Sequence, residues 1–351
     1  MRVLIVKTSS MGDVIHTLPA LTDAGHAIRG ISFDWVAEEN FAEIPAWHPL
    51  VNKIIPVAWR RWRKNLFSKN VRAEMLAFIK NLRAEKYDLI IDAQGLVKSA
   101  VFSRLARGLH CGLNWQSARE KFAALFYRRT FNVLFEQHAV VRARSLFSQI
   151  LKYPVPDGMP DYGINREQFI NEDSRQNPYL VFLHGTTWIT KHWPEEYWIE
   201  LAKHANNAGY NVKLPWGNPA EYERAQRIAA ICDRVDVLPR LDLVGMANVL
   251  AGAKAIASVD TGLGHLAAAL DVPTVSLYGP TNPEFTGALG KSQVHLAVKF
   301  PCAPCYSKVC TYAGVGAENG VSSLRSLSPL YPQCFLSLDA KFVWDALEVL
   351  L

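Results

Sequence analysis

A carboxylate and a lysine, far apart in the chain, each stand in a polar loop that follows an apolar run. Asp13 closes Thr8-Ser-Ser-Met-Gly-Asp13, directly after the mostly apolar stretch 2–7. A carboxylate so placed can accept a proton from an attacking hydroxyl, an effect typically worth about 10²–10⁴ in rate. The same residue would serve equally well as a helix N-cap. Lys191 lies in His184-Gly-Thr-Thr-Trp-Ile-Thr-Lys-His-Trp-Pro194, between an apolar run and a helix begun by Pro194. With Thr186 and Thr187 it can neutralise a departing phosphate, although exposure to water is lysine's ordinary fate.

Groups suited to anions recur further on. Ser258-Val-Asp-Thr-Gly-Leu-Gly-His265 reads as a strand, a turn of small residues and the start of a helix. Asp260, Thr261 and Gly262 fall at the strand's carboxyl end, where open α/β sheets bind ligands. The helix's free N–H groups, with Thr261 and His265 beside them, suit a diphosphate; an Asp that only caps the helix explains the same letters. Glu221 follows Trp216-Gly-Asn-Pro-Ala220 where another helix opens. A carboxylate there can bind ribose hydroxyls or complement the helix dipole, worth about 0.3–1 kcal/mol.

Arg60, Arg61, Arg63 and Lys64 form a basic run that holds Trp59 and Trp62. Arginine forks fit carboxylates and phosphates. Charge runs are usually solvated faces, and the two tryptophans count against that here. Cys302-Ala-Pro-Cys305, Cys310 and the more distant Cys334 are four thiols that could hold a structural zinc. A loop of reduced thiols is the preferred reading, and no metal is assigned to the chemistry.

Strands and helices must hold these loops. Apolar runs at 2–7, 32–36, 53–57 and 87–92 read as strands, and helical spacing covers 71–85, 98–107 and 138–151. Pro19 should kink or limit the helix that starts near Val14. Four prolines between 152 and 178 mark a linker. Beyond it, strands at 179–183, 211–214, 235–238, 255–259 and 275–278 alternate with helices at 194–208, 220–230, 243–250 and after Gly262. A last helix near Asp339 carries an apolar stripe of Phe342, Ala346 and Val349. Strands alternating with helices on both sides of a linker predict an α/β protein of two doubly wound domains facing a cleft.

Composition agrees. The 351 residues, half of them hydrophobic, exceed the roughly 250–300 at which a single core stops growing. No apolar run approaches the ~20 residues of a membrane span, and the start is too short for a signal-peptide core. The chain is therefore expected in the cytoplasm with its six cysteines mostly reduced. A net charge of +6 favours an anionic partner. No nucleic-acid-binding signature is present. Dinucleotide-binding G-x-G-x-x-G, P-loop, nucleophile-elbow and H-E-x-x-H motifs are also absent from the sequence.

Five stretches, in order, resemble the lipopolysaccharide heptosyltransferases of glycosyltransferase family 9, heptosyltransferase I more than II or III. They are Lys7-Thr-Ser-Ser-Met-Gly-Asp-Val-Ile-His-Thr-Leu-Pro-Ala20, Arg60-Arg-Trp-Arg-Lys64, Ile91-Asp-Ala-Gln-Gly-Leu-Val-Lys-Ser99, Lys191-His-Trp-Pro-Glu-Glu196 and Ser258-Val-Asp-Thr-Gly262. The resemblance implies a GT-B glycosyltransferase of two Rossmann-like domains, metal-independent and inverting. Its donor would be ADP-L-glycero-β-D-manno-heptose, and its acceptor the first Kdo of Kdo-lipid A at the inner face of the bacterial inner membrane, bound peripherally. It implies that Asp13 is the general base and that Lys191 faces the donor phosphates. Thr186, Thr187, Asp260, Thr261, Gly262 and His265 would line the diphosphate and heptose site, with Glu221 at the ribose. Ser10, Arg60, Arg61, Arg63, Lys64, Gln94 and Arg119 would face the acceptor.

The expected division is an acceptor domain over 1–160, a linker over 161–178 and a donor domain over 179–336. The last helix, 337–351, would pack back on the first domain. The cysteine-bearing segment 300–334 departs from the heptosyltransferase I pattern and bears on the acceptor or on donor specificity. A heptosyltransferase II-like enzyme and a catalytically silent sugar-nucleotide-binding protein are the competing readings.

Overall fold

Val3, Leu4, Ile5 and Val6 have no exposure to solvent, and a strand buried on both faces belongs at the centre of a parallel sheet. The computed structural model, which describes residues 1–172, 176–312 and 332–351, places them there. Arg2–Val6 (β1), Ser32–Glu38 (β2), Val51–Val57 (β3), Lys86–Asp92 (β4), Arg107–Leu113 (β5) and Arg129–Phe131 (β6) form one sheet in the order β3-β2-β1-β4-β5-β6. Every pairing is parallel. Its helices are Met11–Ile15 (α1), Leu18–Ala27 (α2), Glu43–Ala46 (α3), Trp59–Trp62 (α4), Lys69–Leu82 (α5), Val97–Leu105 (α6) and Ala139–Leu151 (α7). Pro19 lies in the first turn of α2, so one helix stops at Ile15 and a second begins, as its fixed φ and missing N–H demand.

A second unit repeats the plan. Tyr179–Leu183 (β7), Asn211–Leu214 (β8), Val235–Val237 (β9), Ala255–Val259 (β10), Thr274–Tyr278 (β11) and Gln293–Ala297 (β12) pair in the order β12-β11-β10-β7-β8-β9, again all parallel. Glu195–Asn207 (α8), Pro219–Ala229 (α9), Leu243–Ala251 (α10), Gly262–Ala269 (α11), Pro283–Thr286 (α12) and Ala340–Glu348 (α13) accompany it. In each sheet the chain direction of progress reverses once, between β1 and β4 and between β7 and β10. Loops leaving the carboxyl ends at such a reversal splay apart and leave room for a ligand.

The units divide at Asn165/Arg166, inside the expected linker 161–178. Arg166 gives the physical reason. Its guanidinium donates to the carbonyls of Ala251, Ala253 and Asp271 at 2.9, 3.2 and 3.2 Å, which ties the chain to the second unit from that residue onward.

Three strands lie outside the sequence expectation. β5 contains two glycines and follows α6 with no turn residue between them, β6 has three residues, and β12 is an edge strand. At β5 the glycine is required. A Cβ on Gly112 would stand 2.5 Å from the Tyr127 ring, which fills that space. The last helix also differs from expectation. Its buried face is Ala340, Val343, Trp344 and Leu347, whereas Phe342 and Val349 are exposed. That face packs with Trp193, Trp198 and Leu201 in the core of the second unit. A tryptophan and two branched residues make this the larger apolar surface of the helix, and α8 covers it.

Candidate functional site

The first cluster lies at the reversal between β1 and β4. Ser10, the residue before α1, donates to Asp13 Oδ2 through its backbone N at 2.8 Å and its Oγ at 2.7 Å. Asp13 Oδ1 lies 3.9 Å from Lys7 Nζ, which itself donates to the Ala93 carbonyl at 3.0 Å. The Asp13 side chain is 41 % exposed, so its surroundings are a recess open on one side. Burial pushes its pKa up; Lys7, the two bonds from Ser10 and Arg119 outweigh that push and hold it below the ordinary carboxylate value. The carboxylate is ionised at neutral pH and open to an incoming hydroxyl.

Gln94 holds this loop in place. Its Oε1 accepts from the Thr8 N at 2.7 Å and Oγ1 at 2.8 Å, and its Nε2 donates to the Ser9 carbonyl at 3.0 Å. A backbone N–H on one side and a carbonyl on the other fix which way the amide points. Behind it, Asp92 has no solvent exposure and accepts from the Gln94 N at 2.8 Å and the Tyr127 hydroxyl at 2.8 Å. Asp92 and Tyr127 were not singled out from sequence; a lone Asp at a strand end carries no signal of what will cross it.

The basic run is divided in its roles. Arg61 pairs with Glu39 at 3.1 Å and Glu74 at 2.9 Å, so two carboxylates balance its charge. Trp62 is buried against Phe78 and donates to Glu74 at 2.7 Å. The tryptophans that pointed to a ligand are thus core anchors for α4. Arg60, Arg63 and Lys64 are exposed, as is Arg119, whose charge reaches Asp13. Lys98, absent from the sequence prediction, is held below the ordinary lysine value by burial, with Arg60 and Arg63 adding to that and Glu38 opposing it. It therefore belongs to the same basic surface.

The second cluster lies at the reversal between β7 and β10. Lys191 Nζ stands 2.6 Å from Asp260 Oδ2, and the Thr281 hydroxyl donates to that same oxygen at 2.6 Å. His265 Nε2 is 3.9 Å from Asp260 Oδ1. Thr186 Oγ1 donates to the Asp260 carbonyl at 3.1 Å, stitching the loop after β7 to the loop after β10. Thr261 precedes α11 and Gly262 begins it, so the N–H groups of that first turn sit next to the lysine. Thr187 is exposed in the same loop.

Glu221 accepts from the Gly217 N at 2.7 Å in the first turn of α9, whose cap is the Asn218 side chain. A Cβ on Gly185 would lie 2.6 Å from the Glu221 carboxyl carbon, so the loop after β7 passes close against that carboxylate. Arg224 was missed in the sequence. It donates to the His184 carbonyl at 3.1 Å and to His192 Nδ1 at 2.7 Å, bracing the Lys191 loop from below. Burial and then Arg224 depress His192 to about 4, so it stays neutral and can accept that bond.

The described part of the cysteine segment borders this cluster. Thr190 Oγ1 donates to the Ser307 carbonyl at 2.6 Å, and the Tyr306 N donates to the Pro280 carbonyl at 2.8 Å. Lys308 and Lys191 share the Trp188 ring, with Nζ at 5.5 and 4.6 Å from its centroid. Cys302, Cys305 and Cys310 are exposed and Cys334 is buried, all as free thiols. The four line one cavity of about 290 Å³, which includes Thr190 and Pro280 but neither Lys191 nor Asp260. Burial, followed by the neighbouring thiols, pushes Cys334 up to about 12. Among the described residues no three Cys, His, Asp or Glu side chains are arranged to hold an ion. The rest of that segment, 313–331, lies outside the described residues.

Comparison with known proteins adds the following. Residues 75–315 match the family described as glycosyltransferase family 9 (heptosyltransferase). The chain is 58 % identical to lipopolysaccharide heptosyltransferase 1 of Pseudomonas aeruginosa, over 100 % of this chain and 98 % of that protein. It resembles the solved structure of E. coli heptosyltransferase WaaC with ADP at 54 % identity and a TM-score of 0.82, covering 85 % of this chain and 94 % of that one. The same E. coli protein with ADP-2-deoxy-2-fluoro heptose gives 54 % identity and a TM-score of 0.79 over the same shares.

Proposed function

The chain belongs to glycosyltransferase family 9, the heptosyltransferases, and on that premise we propose that it moves L-glycero-D-manno-heptose from ADP-heptose to the first Kdo of Kdo-lipid A. Its two doubly wound parallel sheets are those of a GT-B glycosyltransferase. The donor half of the proposal is supported by the relative solved with ADP-2-deoxy-2-fluoro heptose. The observation that carries the mechanism is positional: Asp13 and Lys191 each occupy the ligand-binding reversal of their own sheet.

In the reaction a Kdo hydroxyl gives its proton to Asp13 as its oxygen bonds to the anomeric carbon of the heptose. The bond from that carbon to the diphosphate breaks on the opposite face, inverting the centre, and ADP leaves with the electron pair. The developing charge faces Lys191 and the first turn of α11. Asp260 and Thr281 hold Lys191 in position, so no reorganisation is needed as the charge forms. Fixed cations and N–H groups can carry a diphosphate leaving group without a metal ion, and metal independence is part of the proposal. Glu221 receives the ribose. Arg60, Arg63, Lys64 and Arg119 receive the acidic acceptor, whereas Ser10 and Gln94 act through Asp13. The acceptor's lipid anchor puts the enzyme peripherally on the inner face of the inner membrane; no helix among the described residues is long and apolar enough to cross it.

The test is ADP release from ADP-heptose with heptose-deficient Kdo₂-lipid A, in EDTA, comparing wild type with Asp13→Asn. Acceptor-dependent release that survives EDTA and falls at least about 10²-fold in the variant is expected. Tight ADP-heptose binding without release would keep the donor site and remove Kdo as acceptor.

A further inference from the structure

Because all strands of the first sheet are parallel, the segments after β3, β5 and β6 leave from the same edge as the Asp13 loop after β1. All three of those segments expose large apolar side chains, most densely the two after β5 and β6. After β5, Phe122 and Leu125 are 64 % and 72 % exposed; after β6, Leu134 and Phe135 are 63 % and 64 % exposed. They belong to one surface. The Trp115 and Phe122 rings meet at 5.2 Å. Ser117 donates to Asn132 at 2.9 Å and accepts from the Val133 N at 2.9 Å. Arg142 donates to the Ser117 carbonyl at 3.2 Å and lies 4.5 Å from the Phe135 ring centroid. The surface is also close to the chemistry, since Arg119 and Arg142 both interact electrostatically with Asp13.

Water is a poor partner for so many apolar side chains in one place. The charge around them selects the partner. Residues 115–142 carry five arginines and lysines against two glutamates, and Arg119, Lys121, Arg128 and Arg129 are exposed. Aromatic and aliphatic side chains rimmed by cations are what an anionic bilayer surface binds: the apolar groups enter the headgroup boundary while the cations meet lipid phosphates. On the other flank of Asp13, after β3, Phe67 is 86 % exposed beside Arg63 and Lys64, the same pairing of types.

We propose that the segments after β5 and β6 are a membrane-docking surface, with Phe122, Leu125, Leu134 and Phe135 entering an anionic leaflet and Lys121, Arg128 and Arg129 contacting its phosphates. This rests on the lipid-anchored acceptor of the preceding section and names the part of the protein that meets the bilayer. Docking there sets Asp13 beside the plane in which the acceptor's anchor is fixed. The acceptor's sugar then reaches the carboxylate without leaving its lipid.

The experiment is co-sedimentation of the full chain with phosphatidylglycerol vesicles and with phosphatidylcholine vesicles. Wild type is compared with Phe122→Ser/Leu125→Ser/Leu134→Ser and with Lys121→Glu/Arg128→Glu. ADP affinity and turnover of a deacylated, water-soluble Kdo acceptor are measured on each. Wild type should prefer the anionic vesicles, the apolar variant should bind them at least about tenfold more weakly, and the charge variant should lose the preference and its salt dependence. Both variants should keep ADP affinity and soluble-acceptor turnover, which shows that they are folded. The proposal is overturned if wild type ignores vesicles, or if the apolar variant binds them as wild type does. It is also overturned if sedimentation shows wild type self-associating through this surface and the variant monomeric. A wild type that binds vesicles but turns over neither acceptor would sink the heptosyl-transfer reading and leave the docking surface standing.

Discussion

Replacing Gln94 by alanine separates two accounts of that residue. If its amide faces the acceptor, the variant should raise the acceptor KM and leave stability alone. The geometry argues otherwise, because both ends of the amide are committed to Thr8 and Ser9. Thr8 has no solvent exposure, so its N–H would be left buried and unsatisfied, at about 1–3 kcal/mol. The bond to the Ser9 carbonyl adds about 1 kcal/mol. A total of about 2–4 kcal/mol lowers the Tm of a unit this size by roughly 4–16 °C. The loosened loop also carries Ser10, which aims Asp13, and misplacement of a base on that scale costs about 10–10² in kcat. Thermal unfolding and steady-state kinetics with both substrates would check this. We expect a lower Tm, a lower kcat and little change in the KM for either substrate. Gln94→Glu keeps the acceptor for Thr8 and loses the donor to Ser9, so it should fall between. An unchanged Tm with a raised acceptor KM in Gln94→Ala would refute the reasoning and return Gln94 to the acceptor.

Other outcomes follow from the same geometry. Because Asp13 lies below the ordinary carboxylate value, it loses its charge only as pH falls through that depressed value. Thus kcat/KM should stay level from neutrality down through the ordinary carboxylate range, and Ser10→Ala should move the acid limb upward in a pH–rate profile. Lys191→Met leaves Asp260 buried with the Thr281 hydroxyl, a loss of about 3–5 kcal/mol in denaturant unfolding; adding Asp260→Leu should restore most of that stability without restoring ADP affinity. Charge reversal at Arg63 and Lys64 should raise the acceptor KM far more than the donor KM. Arg61→Ala should move either KM less than that reversal does, because Arg61 is already paired. Metal analysis of protein purified without chelator should find well under one zinc per chain, and a full equivalent would show that the four thiols rearrange around an ion.

The central strands were legible in the sequence because burial on both faces demands unbroken apolar runs. The run at 179–183 and the run at 255–259 match β7 and β10 residue for residue. β5 and β12 were not, since an edge or a Gly-interrupted strand borrows its shape from a neighbour. The last helix offered two apolar faces, and only the tertiary core decides between them. The site divides in the same way. Asp13, Lys191 and Asp260 stand out as candidates because each is a reactive type placed in a loop that follows a strand. What each touches could not be read. Gln94 turns inward, Arg61 is neutralised by carboxylates from two other elements, and Arg224 reaches His192 across a gap of 32 residues. Sequence gives the address of a side chain; its direction depends on what packs beside it.

The chain's single passage between units, at Asn165/Arg166, has a consequence for how such genes diversify. Among the described residues each sheet lies on its own side of that point, and no strand pairs across it. The Arg166 clamp also travels with the second unit, since all three of its carbonyl partners lie there. One recombination event just upstream of Arg166 would therefore exchange the whole first unit while leaving these strand pairings and the clamp intact. Under the proposed division of substrates between the units, shuffling at that junction is a route by which a lineage can acquire a new sugar acceptor without rebuilding its nucleotide site.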